Sequence, residues 1–462
     1  MKNLTLGNIA KACNGRLMNM KSELSGREAT CVVIDSRKIE EGGIFIATKG
    51  ERSDGHDFVR SVAEKGALGA IVEKDMSDVD MPYIVVEDSF KALRDIAAFY
   101  RNGLDIPIIG ITGSVGKTST KEFVAGTLSA GRRVLKTYMN FNNDVGMPLT
   151  LLNIRDEHEI AVVEMGISHF GEMEILASTA RPDMCIITNI GQCHLENLID
   201  RDGVLKEKSQ MINFMNPDGT VILNFDDDKL ITLRDTCTKK VIGFGMSPDF
   251  DIYATDIESH GLWGTDATIC SGGRKLRVHI PLPGRHMIYN AMAAVAAGYE
   301  YGLSNEEIIR GIAGIESTDG RSNIIKTREY TVIDDCYNAN PVSMKAAIDL
   351  LKTADTRKVA VLGDMFELGE RKDEFHAQIG EYAADAGIDV LVAIGELSKK
   401  MAEAARNHGG IEVYEFATGD EATESLFKIL KTDDSILVKA SHGMKLDTIV
   451  NLLTNLKEGL KQ

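Results

Sequence analysis

Apolar residues come in short runs along this chain, and their rhythm shifts near residue 103 and again near 320. Over the first hundred residues the runs are brief. Cys31–Ile34, Ile44–Ala47, Ala70–Val72 and Tyr83–Val86 read as strands, with helical spacing at 57–65 and 89–101. Asn102-Gly103 closes the last helix, with Gly103 expected to supply a left-handed cap. This places a first, mixed α/β domain at 1–103.

From Ile106 the runs lengthen. Ile106–Thr112, Ala161–Gly166 and Met184–Ile190 are apolar enough for strands buried on both faces, and helical stretches follow each. Strand–helix–strand order predicts a mostly parallel sheet. Short β patterns and turns at 241–280 predict a small added sheet, and a helix is expected at 285–301. The second domain spans 104–318. After Gly320 the rhythm restarts, with strands expected at 332–334, 359–363, 390–395 and 435–440. Asn340 can cap a helix whose first turn holds Pro341, where no N–H is needed. Met344, Ile348 and Leu351 then share one face. A doubly wound, Rossmann-like third domain is expected at 319–462.

The length of 462 residues fits three such domains. A composition of 44% hydrophobic and 26% charged residues suits packed cores rather than disorder. The net charge of −17 disfavours nucleic acid or an anionic membrane as partner, while leaving room for a local basic pocket. The seven cysteines form no CxxC pair, which argues against a zinc ribbon, and their odd count and long spacing argue against a disulfide framework and for a reducing cytoplasm. No apolar signal core opens the chain, and no run reaches the ~18 residues of a membrane span.

The sharpest chemical signal is Ile108–Ser119. A buried strand runs into Gly113-Ser114-Val115-Gly116, and a helix is expected to start at Lys117-Thr118-Ser119. Backbone N–H groups and a helix N-terminus at such a turn cradle phosphates. Lys117 would reach the β- and γ-phosphates, and Thr118 would hold Mg²⁺. The glycine spacing is TGxxGKT, shorter than GxxxxGK[ST], since position 111 is Ile. No NKxD-type guanine reader accompanies it, which leaves a kinase or a ligase open.

Glu164 ends one buried run, at the strand end where parallel sheets bind ligands. It is either a second Mg²⁺ ligand or a cap on the following turn. His194 follows another, and the two are expected to end neighbouring strands and share one metal. Lys206 and Lys208 lie on a helical stretch from about Gly203, which by composition alone is a solvated face. Asn142-Asn143-Asp144 is a polar loop or a plain turn. In the first domain, Asp35-Ser36-Arg37 and the loop from Lys49 to Asp57 suit either exposed turns or a phosphorylated substrate.

Taken together these strings resemble the ATP-dependent Mur ligases, and among them the MurF type. The resemblance rests on DSR at 35–37 with GERSDGHDF at 50–58, TGSVGKTS at 112–119, NNDVGMPLTLL at 142–152 and EMGISHFGEME at 164–174. TNIGQCHLE at 188–196, PGRH at 283–286, DDCYNANPVSM at 334–344 and VLGDMFELGE at 361–370 complete it. It implies ADP-forming ligation of D-alanyl-D-alanine to UDP-N-acetylmuramoyl-tripeptide through an acyl phosphate, for peptidoglycan precursors. ATP and Mg²⁺ would be the cofactors. The first domain would bind the UDP-sugar through Ser36, Arg37 and Lys49. The central domain would bind ATP, and the third would help bind ATP and the incoming amine.

By the same resemblance Thr118, Glu164, His194 and Lys208 hold Mg²⁺, with Lys208 carrying a carbamate. Asn290 matches an adenine contact, and Arg321 and Asp335 match positions at the phosphates and ribose. Asn142, Asn143, Tyr337, Asn338 and Asn340 are expected at the substrates. The chain departs from the family strings at Met287, at Lys439-Ala440-Ser441-His442 and at Glu207-Lys208-Ser209-Gln210. The DNPR-like string usual in MurE ligases is absent. The alternatives are another Mur-type or folylpolyglutamate-type ligase, or a nucleotide-binding switch without ligase chemistry.

Overall fold

Three twisted sheets follow one another along the chain in the computed structural model, which describes residues 1–50 and 53–455. Glu51 and Arg52 of the first-domain loop lie outside the described residues. The first sheet runs in the order Arg16–Met18, Tyr83–Val85, Gly69–Val72, Ile44–Ile46, Val32–Val33, with only the first pair antiparallel. The expected helix at 57–65 begins as a 3₁₀ turn at Gly55–Phe58 and becomes α-helical over Val59–Glu64.

The helix Ser89–Asn102 leads out of this sheet, but its end differs from expectation. Gly103 has φ −90°, not a left-handed conformation. The helix tightens instead, with Gly103 N–H donating to the Tyr100 carbonyl and Leu104 N–H to that of Arg101. These bonds satisfy the terminal carbonyls without a sign change in φ.

The central sheet has nine strands. From one edge they are Val134–Lys136, Ile160–Glu164, Ile108–Thr112, Met184–Ile187, Thr220–Asn224, Lys240–Gly245, Ile252–Ser259, Thr265–Ser271 and Arg274–Ile280. The first seven are parallel and the last two fold back antiparallel. Residues 241–280 therefore extend the main sheet instead of forming a separate one. Gly245 pairs with Tyr253, so the ladder continues through the short connection. The helices Lys117–Ser129 and Met287–Glu300 cover one face of this sheet.

The third sheet orders as Asn323–Lys326, Thr331–Asp334, Ser435–Lys439, Lys358–Gly363, Val390–Ile394, Glu412–Phe416, parallel except at the Asn323–Lys326 edge. Asn340 caps the helix Pro341–Lys352 as expected, its side chain accepting from Ser343 N–H while Ser343 Oγ accepts from Asn340 N–H. Met344, Ile348 and Leu351 are fully buried on its inner face. The class is α/β, with mostly parallel sheets whose strand ends open toward shared loops. Among the described residues no helix is long and apolar enough to cross a membrane.

Candidate active site

A cleft of about 650 Å³ lies between the second and third sheets, lined from both sides. The strand Ile108–Thr112 ends at its floor, and the phosphate loop turns there into the helix that starts at Lys117. Gly116, at φ 83°, occupies the position before that helix, where a side chain would be strained. Gly113 is required for a different reason. A Cβ there would meet Thr188 Oγ1 at 1.9 Å.

The loop is held from outside by Thr188-Asn189-Ile190-Gly191. Ser114 N–H donates to the Asn189 carbonyl and Val115 N–H to Asn189 Oδ1, while Thr188 Oγ1 and Asn189 Nδ2 donate to the Val115 carbonyl. The sequence marks this string without revealing that it splints the phosphate loop. Lys117 Nζ donates to the Gly113 carbonyl at 2.8 Å. Burial lowers its pKa, partly offset by the Glu164 charge.

Glu164 ends its strand with 1% exposure. Its Oε1 accepts from Asn142 Nδ2 at 2.7 Å and from Thr118 Oγ1 at 3.3 Å. Its Oε2 is buried without a partner. Its N–H donates to Thr137 Oγ1, and the Thr137 carbonyl accepts from the fully buried Lys121. His194 lines the same cleft, but the strands of Glu164 and His194 are not neighbours, because the phosphate-loop strand runs between them. The His194 ring Nδ1 lies 2.5 Å from Glu367 Oε2 of the third domain.

Lys208 is not on a solvated face. The helix Arg201–Ser209 is turned so that Val204, Glu207 and Lys208 are buried while Lys206 is exposed. Glu207 fixes this orientation by accepting from Met173 N–H. Lys208 has 0% exposure and its Nζ has no partner. Burial brings its pKa down to about 8, with the Lys117 charge adding to the effect and Cys193 opposing it.

An orphaned carboxylate oxygen and a threonine hydroxyl thus meet beside the phosphate loop, and hard oxygen donors of this kind fit Mg²⁺. Lys208 is not among the residues lining the cleft, and as a bare ammonium it offers a cation no lone pair. Among the described residues no three His, Cys, Asp or Glu side chains converge to hold a metal by themselves. A resident ion would therefore draw on the Thr118 hydroxyl, phosphate oxygens or a modified Lys208.

Asn290 sits beside the loop on the helix Met287–Glu300, its Oδ1 accepting from Thr120 Oγ1. From the third domain, Arg321 lies 4.1 Å over the Tyr337 ring, whose centroid is 5.3 Å from that of His442. Asp335 accepts from Ser322 N–H and from the buried Lys439, which also donates to the Asn338 carbonyl. Lys439 therefore organises the whole 335–338 turn, a role the sequence did not suggest. Burial lowers the His286 pKa, against the pull of Asp335.

Asn143 and Asn142 line the cleft, and Asn143 Oδ1 also accepts from Gly146 N–H to start the next helix. Asn338 and Asn340 line it too, although the Asn340 oxygen is committed to its helix cap. Ser36, Arg37 and Lys49 do not line it. Arg37 is exposed and forms a two-bond pair with Asp35 at 2.9 and 2.8 Å.

Known proteins share this arrangement over its full length. Residues 28–101 match the family model described as Mur ligase family, catalytic domain; 111–298 match the Mur ligase middle domain; and 320–442 match the Mur ligase, glutamate ligase domain. The UDP-N-acetylmuramoyl-tripeptide–D-alanyl-D-alanine ligase of Bacillus subtilis (strain 168) is 37% identical over 452 residues, covering 96% of this chain and 97% of that protein. The chain belongs to the Mur ligase family, MurF type. A MurF crystal structure from Acinetobacter baumannii superposes with a TM-score of 0.88 at 32% identity, covering 98% of this chain and 99% of that one. The MurF ligase from Thermotoga maritima, solved in complex with ADP, gives 0.82 at 27% identity over 94% of this chain and 99% of that one.

Proposed function

We propose that this Mur ligase joins D-alanyl-D-alanine to UDP-N-acetylmuramoyl-tripeptide, with ATP cleaved to ADP and phosphate, in the cytoplasmic supply of peptidoglycan precursors. The observation that carries the reading is the cleft between the second and third sheets. It sets a splinted phosphate loop and a buried, half-satisfied carboxylate opposite the polar turn of the third domain. Residues 1–103 bind the UDP-sugar, 104–318 bind ATP, and 319–462 close over the nucleotide and present the amine.

In this mechanism the tripeptide carboxylate attacks the γ-phosphorus of ATP, forming an acyl phosphate and releasing ADP. The N–H groups of Gly116 and Lys117, at the helix N-terminus, hold the phosphates, while those of Ser114 and Val115 stay bonded to Asn189. Lys117 exchanges its Gly113 carbonyl for phosphate oxygens and neutralises charge as it moves to the transferred group. Thr118, Glu164, His194 and a carbamylated Lys208 would hold Mg²⁺. When bound, the ion screens the repulsion between carboxylate and triphosphate.

The dipeptide amine then attacks the acyl carbon, and the tetrahedral adduct expels phosphate to leave an amide. Tyr337 and Asn338 face the cleft from the third domain and orient the incoming dipeptide, while Arg321 and Asp335 face the nucleotide. Closure of that domain keeps water from the acyl phosphate. A Lys208 pKa near 8 supports carbamate formation, because the neutral amine is the form that adds to CO₂.

The test is phosphate release with ATP, UDP-N-acetylmuramoyl-tripeptide and either D-alanyl-D-alanine or single amino acids. Release that needs both the tripeptide and the dipeptide is expected. Release with single amino acids would point to another Mur-type or folylpolyglutamate-type ligase, and nucleotide binding without release would point to a switch.

A further inference from the structure

The GDMFELG string at 363–369 has no part in the mechanism above, yet its loop reaches across the domain boundary. Its own domain holds it tightly. Asp364 Oδ1 accepts from Ser398 N–H and Oγ. Met365 N–H donates to Nε2 of the fully buried His376, and Phe366 N–H donates to Ser441 Oγ. Met365 and Leu368 are buried on either side. Between these anchors Glu367 is forced to φ 60°, a conformation few non-glycine residues adopt, and its carboxylate projects out of the domain.

The group it meets is His194, itself at φ 52° at the start of the helix Leu195–Leu198. The contact is 2.5 Å, from Nδ1 to Oε2. The surroundings agree that this is a docked surface. Leu195 packs on the third domain's core, and Gly369 comes against the Glu196 backbone, where a Cβ would lie 3.8 Å from its nitrogen. An ionised carboxylate can only accept, so Nδ1 carries the hydrogen and the lone pair is left on Nε2. A carboxylate on the far nitrogen of a ligating histidine fixes both the tautomer and the ring plane.

We propose that Glu367 is a positioning residue for His194. The third domain brings it to a candidate ligand of the central domain, so that this ligand is set only while the two domains are docked. The inference rests on the reading of His194 as a metal ligand. It gives the loop at 363–369 a role, that of coupling domain docking to completion of the ion site.

The test uses full-length Glu367→Ala, Glu367→Gln and His194→Ala, the double variant Glu367→Ala/His194→Ala, and Glu370→Ala as an exposed control. Two quantities are read: the Mg²⁺ concentration for half-maximal phosphate release, and the ¹⁵N resonances of the His194 ring in metal-free protein. Glu367→Ala is expected to raise the half-saturating Mg²⁺ by ~10-fold or more, with far less effect on turnover at saturating Mg²⁺. The ring resonances should move from one tautomer to a mixture. Glu367→Gln retains an acceptor oxygen and should restore most of both. The double variant should be no worse than His194→Ala, as two residues acting through one group require.

A wild-type Mg²⁺ requirement and unmoved ring resonances in Glu367→Ala, with His194→Ala still impaired, would overturn the inference alone. A wild-type requirement in His194→Ala would overturn the metal reading beneath it.

Discussion

Replacing Lys208 with methionine separates what this residue costs the fold from what it contributes to chemistry. The ammonium is fully buried without a partner. Its pKa of about 8 stands against an ordinary 10.5. At 1.36 kcal/mol per pH unit, the difference is a penalty of about 3 kcal/mol. The sign follows from proton counting. Below about pH 8 both folded and unfolded chains hold the proton, and the full penalty stands. Between about 8 and 10.5 the unfolded chain holds more protons, so stability rises with pH until the penalty is gone.

Methionine matches the length of the aliphatic stem and carries no charge. Below pH 8 in CO₂-free buffer, Lys208→Met should therefore be more stable than the unmodified parent, by up to about 3 kcal/mol. The gap should close as pH climbs toward 10.5. Bicarbonate should narrow it near pH 8, because capture of the neutral amine as a carbamate removes the buried ammonium. Turnover of the variant should stay near zero at every pH. Short carboxylates should restore part of the activity of Lys208→Ala, where room is left for them. The assay is urea unfolding followed by far-ultraviolet circular dichroism, because Trp263, the chain's single tryptophan, is exposed in the turn joining two strands of the central sheet. A methionine variant less stable than the parent at pH 7, or a gap with no dependence on pH, would refute the reasoning.

Lys117→Ala should abolish phosphate release while leaving the unfolding transition near that of the parent, since a loop cation of this kind supplies ~3 kcal/mol or more to the transition state; near-normal turnover would remove the phosphate-loop assignment. Gly113→Ala drives a methyl to 1.9 Å from Thr188 Oγ1. It should cost ~1–3 kcal/mol in backbone and loop strain and weaken ADP binding in calorimetry, with partial recovery when Thr188→Ala is added. Asn340→Ala removes one half of a capping box, and should lower stability by ~1 kcal/mol in denaturant titrations with a smaller effect on turnover; a large loss of turnover would instead place its amide on a substrate.

The parts of the site that ride on strongly patterned elements are legible in the sequence. A fully apolar strand cannot hide its end, so the phosphate loop, Glu164 and the Asn340 cap can all be located without knowledge of any contact. Short edge strands cannot. Arg16–Met18 and Asn323–Lys326 carry little burial and no clear alternation, because one side of each faces solvent. Lys208 shows the other limit. Its neighbours Lys206 and Glu207 make the helix read as solvated, whereas the burial of Val204 and the bond from Met173 N–H to Glu207 accompany an inward Lys208. Lys439 likewise organises a turn 101 residues earlier, a separation no local pattern reports. Ser36, Arg37 and Lys49 stand out by residue type alone, and residue type does not say which cleft they face.

Lys117 also bears on the pace of the cycle. Its ammonium is bonded to the Gly113 carbonyl at 2.8 Å, within the loop itself. In the proposed mechanism, nucleotide arrival is therefore a trade of one oxygen partner for another, not the rescue of a bare charge, and departure is the same trade reversed. Such an exchange trims the net gain from each phosphate contact. It also lets the loop keep its shape between turnovers. A ligase that must discard ADP once per bond made gains more from rapid exchange than from tight retention. Slow release is then expected in a variant whose Gly113 carbonyl is turned away from the lysine, even where its phosphate contacts are unchanged.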